Sequence, residues 1–597
     1  MRGRVVLAWL CGAGLLVAAT FFLDDYTADM FRKLLLTTTL VLSFNFLFGI
    51  AGQLAFSHVA FYGIGAYAIV IFAHQLGWPL PLAFLAAAGC GFILSLAVAV
   101  PSLRLEGFYL GLASLAFAQL FTVVTSQGGE LTGASEGISG FASPVILGVR
   151  FSGQNYLFAV IGLFLATLAI LLAVDRSYFG RACRAIRDNP QPAAAMGINV
   201  ARTKIIVFVM TSVLAVVAGM FYAYSDNYVN PFVFNLDYMF LLFFMVVIGG
   251  TGRHIGAVLG SAVLFLLPEI LGGAVGKRHL FFYGLFVVMA ILFWREGLAG
   301  IVDWLKLRLK KAAPEFRAAA PAEFSLRSSR AVGGDATLDP KQPILSVRGL
   351  SKRFGGLLAV DGVDFDLYPG EILGVIGPNG AGKTTIFNML AGAFAPSSGS
   401  AKLLGQELMG RAPHEIAASG VMRTYQHNRP FAGLTVVDNV MVGAHCRFLS
   451  HGRVGTKRQR VEADVRAEAL QILDFVGLGH LANAEIRRLS FGQGRLLEVA
   501  RALIGHPRVI MFDEPAAGLT PGELDKLGEI IRWISRQGIA ILLIEHDMHF
   551  LFPLADRAIV LNFGRKIADG APKAISADPQ VIDAYLGMAV QQEAGVA

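Results

Sequence analysis

At 597 residues the chain is too long for a single hydrophobic core, so two or more domains are expected. Hydrophobic residues make up 55% of it and charged residues only 15%, which excludes an ordinary soluble protein of this size. A net charge of +8 raises nucleic acid as a partner, yet the bases fall largely in loops between apolar runs and after the last one; that is the positive-inside pattern, and no nucleic acid is expected. Cys11, Cys90, Cys183 and Cys446 are scattered without ligand spacing and support neither a disulfide framework nor a zinc site.

The apolar excess lies before residue 305. Arg2 and Arg4 precede the run 5–23, which competes as a cleavable signal peptide but is long for one and lacks a clear cleavage site. It reads as a retained first helix with a cytoplasmic N-terminus. Further spans are expected at 34–51, 59–76, 81–100, 108–126, 156–174, 205–224, 238–249, 255–271 and 281–294, about ten in all. The count returns the chain to the cytoplasm at Lys306, Arg308, Lys310 and Lys311, and makes the loop 127–150 external. Glycines at 49–52 and 249–252 mark either broken helices beside a transport site or close helix packing. His58 and Glu269 are the ionisable groups that stand out within spans; each is a functional candidate or a residue at a membrane face.

The loop 180–198, GRACRAIRDNPQPAAAMGI, comes out cytoplasmic. Arg181, Arg184 and Arg187 fall on one side of a short helix that Asn189-Pro190 and Pro192 break, and a second small-residue turn ends at Gly197. Such a segment suits docking of an ATPase; the alternative is a solvated basic loop. The stretches GIAGQLAFSHVAFYGIGAY, LRLEGFYLGLASLAFAQL, FGRACRAIRDNPQPAAAMGINVARTK and VVIGGTGRHIGAVLG resemble the permease of branched-chain (hydrophobic) amino-acid ATP-binding cassette (ABC) importers. The likeness covers nearly all of 30–300, and urea-type members share much of it.

Residues 306–343, rich in Ala, Pro, Ser and charge, read as a flexible cytoplasmic tether. Beyond it, GPNGAGKTT at 377–385 fits G-x-x-x-x-G-K-[ST] between an apolar run at 372–376 and a helix-forming run. Its residues, Gly377, Pro378, Asn379, Gly380, Ala381, Gly382, Lys383, Thr384 and Thr385, are expected to cradle ATP phosphates with backbone N–H groups. Lys383 reaches the outer phosphates, and the Thr384 hydroxyl ligates Mg²⁺. VIMFDEP, at 509–515, ends a strand in two carboxylates: Asp513 to hold Mg²⁺ through water and Glu514 to activate the attacking water as general base.

Further marks resemble those of an ABC ATPase, over about 344–588. The resemblance implies that Phe354 stacks on adenine, that Gln426 of RTYQH contacts Mg²⁺ and the attacking water, and that His546 of LLIEHD contacts the γ-phosphate. LSFGQ at 489–493 resembles the signature, whose Ser490, Gly492 and Gln493 serve ATP held by a facing subunit. Two departures stand out: Phe491 where glycine is frequent, and Thr520 where aspartate is usual.

The expected architecture is an all-α polytopic membrane domain (1–305), the tether (306–343), an α/β P-loop ABC ATPase domain (344–588) and a tail (589–597). The resemblance implies ATP-driven uptake of branched-chain or other hydrophobic amino acids through the cytoplasmic (inner) membrane of a prokaryote, with the ATPase domain and both termini cytoplasmic. A urea or short-amide importer is the alternative; an exporter and a non-transporting, membrane-anchored ATPase are weaker rivals. One phosphate loop and one signature per chain require a second permease–ATPase half, identical or related. An external substrate-binding protein completes the expected set of partners.

Overall fold

The computed structural model describes residues 12, 14, 16–18, 20–102, 105, 107–146, 149–294, 296–301, 305, 339–425, 430–450 and 456–584. The chain divides into two compact units, Met1–Cys183 with Ala201–Ala313, and Arg184–Val200 with Pro314–Ala597. Most of the first expected span, the tether up to 338 and the tail lie outside the described residues.

The first unit is built of apolar helices. Among the described residues six are long and apolar enough to cross a membrane, beginning with Asp25–Ile50 and Leu80–Ser102. The other nine expected spans each coincide with a helix, but three are short: His58–Val70 (carried on by a π turn to Gln75), Leu236–Gly249 and His279–Phe293. Non-helical stretches at 51–57 and 250–253 do interrupt the helices where the glycines predict breaks. Close packing holds there too: a Cβ on Gly49 would overlap the backbone nitrogen of Gly252, and Asn45 Oδ1 accepts that N–H at 2.9 Å.

Several polar groups buried in this unit bond to each other across helices, as suits surroundings without water. His58 is buried, with Nε2 2.8 Å from Ser43 Oγ, and Thr38 and Ser261 hydroxyls meet at 2.8 Å. Glu269 is exposed and accepts from the Tyr26 hydroxyl at 2.6 Å. His58 is thus a buried histidine rather than a residue at a face of the unit, and Glu269 is an exposed acid.

In the second unit the strands are β1 (Leu345–Phe354), β2 (Leu357–Leu367), β3 (Ile372–Ile376), β4 (Ser398–Leu403), β5 (Gln406–Glu407), β6 (Val421–Arg423), β7 (Val509–Asp513), β8 (Ala540–Ile544), β9 (Arg557–Asn562) and β10 (Arg565–Gly570). They form a six-stranded sheet, order β6-β7-β8-β3-β9-β10, parallel except for the final antiparallel strand, and a four-stranded antiparallel sheet, order β2-β1-β4-β5. β3, β7 and β8 are buried at every position, which is why they read as unbroken apolar runs rather than alternating ones. Their register aligns Asp513 with Ile544 and Ile544 with Val375, so the ends of three strands open on one edge. Parallel sheets bind ligands at such carboxyl ends.

Candidate functional site: a nucleotide site at the strand ends

β3 runs directly into the phosphate loop. Gly377 has φ +146°, and a Cβ there would overlap the Leu561 carbonyl, so the sharp exit from the strand requires glycine. The loop ends in the helix Lys383–Leu390, whose first N–H groups lack partners within the helix and are therefore ready for an anion. Lys383 is buried, and Nζ donates to the carbonyls of Gly377 (2.6 Å) and Pro378 (3.0 Å). Burial lowers its pKa, while nearby Glu514 and Asp513 oppose that shift. Asn379, Gly380 and Thr384 are exposed around it, and Ala381 packs inward.

β7 and β8 supply the acids and the histidine. Asp513 is buried, and its Oδ2 accepts from Arg423 at 2.7 Å; Arg423 also donates to Asn388 Oδ1 at 2.6 Å. Glu514, one residue beyond the strand, sits at φ +48°, and its N–H donates to Ile544 O at 3.0 Å. His546 is exposed with Nδ1 4.0 Å from Glu514 Oε2. Glu545 between them is wholly buried; burial, with Glu514 nearby, pushes its carboxyl up to about 7 against the pull of backbone N–H bonds. The structure thus brings Lys383, Asp513, Glu514 and His546 to one edge of the sheet. Thr384 and Asp513 offer only oxygen donors, the chemistry a hard cation such as Mg²⁺ takes.

Other expected residues stand apart from this cluster or outside view. Gln426 lies outside the described residues. Phe354 ends β1, half exposed and edge-on to Phe394 with centroids 5.3 Å apart. Ser490 caps the helix Phe491–Leu503: its Oγ accepts from Gln493 N–H at 3.2 Å, and Gln493 Oε1 accepts from Ser490 N–H at 2.9 Å. Gly492 is buried beside Glu523, and Phe491 projects outward. Thr520 caps the helix Pro521–Arg536, its hydroxyl donating to Glu523 at 2.9 Å.

The loop 180–198 belongs in part to this unit. The helix Tyr178–Asp188 is followed by Pro190–Ala195, which packs on Pro413–Ala418. Asp188 Oδ2 accepts from Gly433 N–H at 2.6 Å, and Arg187 donates to Asp188 Oδ1 at 2.9–3.0 Å. Asn199 Nδ2 meets His414 Nε2 at 3.0 Å, and the Tyr425 hydroxyl donates to Gln191 O at 3.3 Å. Gly197, at φ +85°, leaves room for Cys446, whose sulfur would overlap any Cβ. Arg184 belongs to the same unit, and Arg181 is a buried residue of the first.

Sequence reasoning missed Asp188, Gln191 and Asn199, because the arginines drew attention and partners lie more than two hundred residues away. Tyr425 was missed as well. Its carbonyl accepts from Arg495 of the signature helix at 2.7 Å, and Arg423 lies 5.1 Å over its ring. Arg423 itself carried a signal, a lone charge in the apolar strand VMR.

Residues 26–293 match the family model of the branched-chain amino acid transport system permease component. Residues 360–517 match that of the ABC transporter, and 565–587 that of the branched-chain amino acid ATP-binding cassette transporter. The chain is 44% identical over 253 residues to the high-affinity branched-chain amino acid transport ATP-binding protein LivG of Escherichia coli K12, covering 42% of this chain and 99% of that protein. It is 43% identical over 253 residues to BraF of Pseudomonas aeruginosa, a protein of the same description, with the same coverage. Among solved structures, an ATP-binding cassette of an ABC transporter in its ADP conformation aligns at 30% identity and a TM-score of 0.37, over 41% of this chain and 99% of that one. The chain belongs to the branched-chain amino acid family of ABC transporters, a membrane protein in which the permease component and the ATP-hydrolysing, nucleotide-binding component are one polypeptide.

Proposed function

We propose that this chain is one fused half of an importer that uses ATP to carry branched-chain or other hydrophobic amino acids inward across the cytoplasmic membrane of a prokaryote. The observation that carries the reading is the presence in one chain of the family permease, 26–293, and a phosphate loop whose strand edge also presents Asp513, Glu514 and His546. Working boundaries are 1–305 for the permease, 306–343 for the tether and 344–588 for the ATPase.

In this reading Lys383 exchanges its two loop carbonyls for phosphate oxygens, and backbone N–H groups from Gly377 to Thr385 hold the rest of the charge. Thr384 and Asp513, with Gln426, hold Mg²⁺, which when bound neutralises charge on the outer phosphates. Glu514 takes a proton from the attacking water, and His546 contacts the terminal phosphate. Phe354 meets the adenine. Ser490, Gly492 and Gln493 face the nucleotide of a second half, identical or related, so that closure of two ATPase domains encloses ATP. Arg181, Arg184, Arg187 and Gly197 lie in the segment that passes this closure to the permease. An external binding protein delivers the solute, and both termini are cytoplasmic.

The test is uptake of radiolabelled leucine by the complete complex in sealed proteoliposomes, with binding protein outside and ATP within. Accumulation above the outer concentration supports the reading. Accumulation of urea or a short amide in place of leucine would reassign the solute, and release of preloaded leucine would mark an exporter.

A further inference from the structure

β8 delivers two ionisable side chains in succession to the phosphate edge, and only the second, His546, has a role so far. Glu545 has no exposed surface. A buried carboxyl is costly unless its oxygens are hydrogen-bonded. Oε1 is: it accepts from Ala516 N–H at 2.7 Å and so pins the turn two residues past Glu514. Oε2 has no hydrogen-bond partner among the described residues. The imidazole of His546 stands beside it, with Nδ1 at 3.9 Å.

Glu514 Oε2 is 4.0 Å from the same nitrogen, so two carboxyls flank one side of the ring. Glu514 holds a left-handed backbone conformation, φ +48°, which is strained for a residue with a Cβ and persists only where neighbours impose it. Its N–H bond to Ile544 O and the Glu545–Ala516 bond grip that residue from both sides.

We infer that Glu545 is a positioning residue for hydrolysis: its carboxyl, anchored on Ala516, fixes the turn after Glu514 and accepts a hydrogen bond from Nδ1–H of His546, turning Nε2 toward the terminal phosphate. The bond needs the ring to approach by roughly 1 Å. An imidazole held at Nδ1 by a carboxyl keeps one tautomer and one orientation. Glu514 is then left to the water. The inference rests on the role given to His546 above.

Glu545→Gln separates the two duties, because the amide oxygen still accepts from Ala516 while the amide nitrogen cannot accept from Nδ1–H. In the full-length complex this variant is expected to lose about tenfold in kcat for ATP with little change in KM, a loss confined to the transition state. His546→Ala should lose more, and adding Glu545→Gln to it should cost nothing further, since the two act as a unit. Equilibrium ATP binding by Glu545→Gln should match the parent. Parent-like turnover, a loss that adds in full to that of His546→Ala, or lost ATP binding would each overturn the inference and leave the proposed function standing. Full turnover by His546→Ala would instead remove the histidine from the site, and this role of Glu545 with it.

Discussion

The strand-end cluster and the helix crossings of the membrane unit bury polar atoms to different ends. In the membrane unit Ser43 satisfies His58, Thr38 meets Ser261, and Asn45 closes on Gly252. These bonds hold helices together. At the sheet edge, buried groups are bound by partners they can exchange: Lys383 holds loop carbonyls, Asp513 is held by Arg423, and Glu545 keeps one oxygen unmatched among the described residues. Unmatched atoms are not confined to the edge, since Asn45 Nδ2, Tyr67 Oη and Ser212 Oγ of the membrane unit also lack partners among the described residues; what sets the edge apart is a lysine and carboxyls whose present contacts a ligand could replace.

That contrast can be broken first at Glu514. Glu514→Gln is expected to lower ATP turnover by about 10²–10⁴-fold while ATP binding persists, because water activation goes and the phosphate cradle stays. Turnover and nucleotide binding measured on the same preparation check it. Arg423→Ala comes next: it leaves Asp513 charged and buried without a partner, a loss of about 3–5 kcal/mol by the usual cost of breaking a buried pair. The fall in unfolding midpoint measures it, and Arg423→Ala with Asp513→Ala together should recover part of that loss.

Gly197→Ala tests the docking segment. Strain at φ +85° and overlap with Cys446 should cost about 1–3 kcal/mol locally and reduce uptake more than ATP hydrolysis. A parallel fall in both activities would place the damage in the fold instead. Ser43→Ala is the mildest: it removes the hydroxyl's bonds to His58 Nε2 and to Leu40 O, about 1–3 kcal/mol of stability at most, and should leave the KM for the transported solute unchanged. A shifted KM would move His58 from architecture to the transport path.

How much of this was legible depended on how far apart the partners lie in the chain. GPNGAGKTT carries its own geometry in consecutive residues, so loop, lysine and helix could be read directly. The helical spans were equally plain, since apolar length is a local property. Pairings between distant residues were not: nothing near Arg423 announces Asp513, and nothing near Asp188 announces Gly433. Glu545 stood in plain sight within LLIEHD, but its meaning depends on burial and on Ala516, which only the fold supplies. His58 illustrates the reverse, an ionisable residue in a span whose bond to Ser43, fifteen positions away, only the fold reveals.

The most direct test is a paired measurement on the assembled complex in sealed vesicles: labelled leucine entering with binding protein present, and ATP consumed in the same sample. The account predicts that accumulation requires ATP and vanishes with Glu514→Gln. Hydrolysis that proceeds while leucine stays outside, with the binding protein saturated, would contradict it.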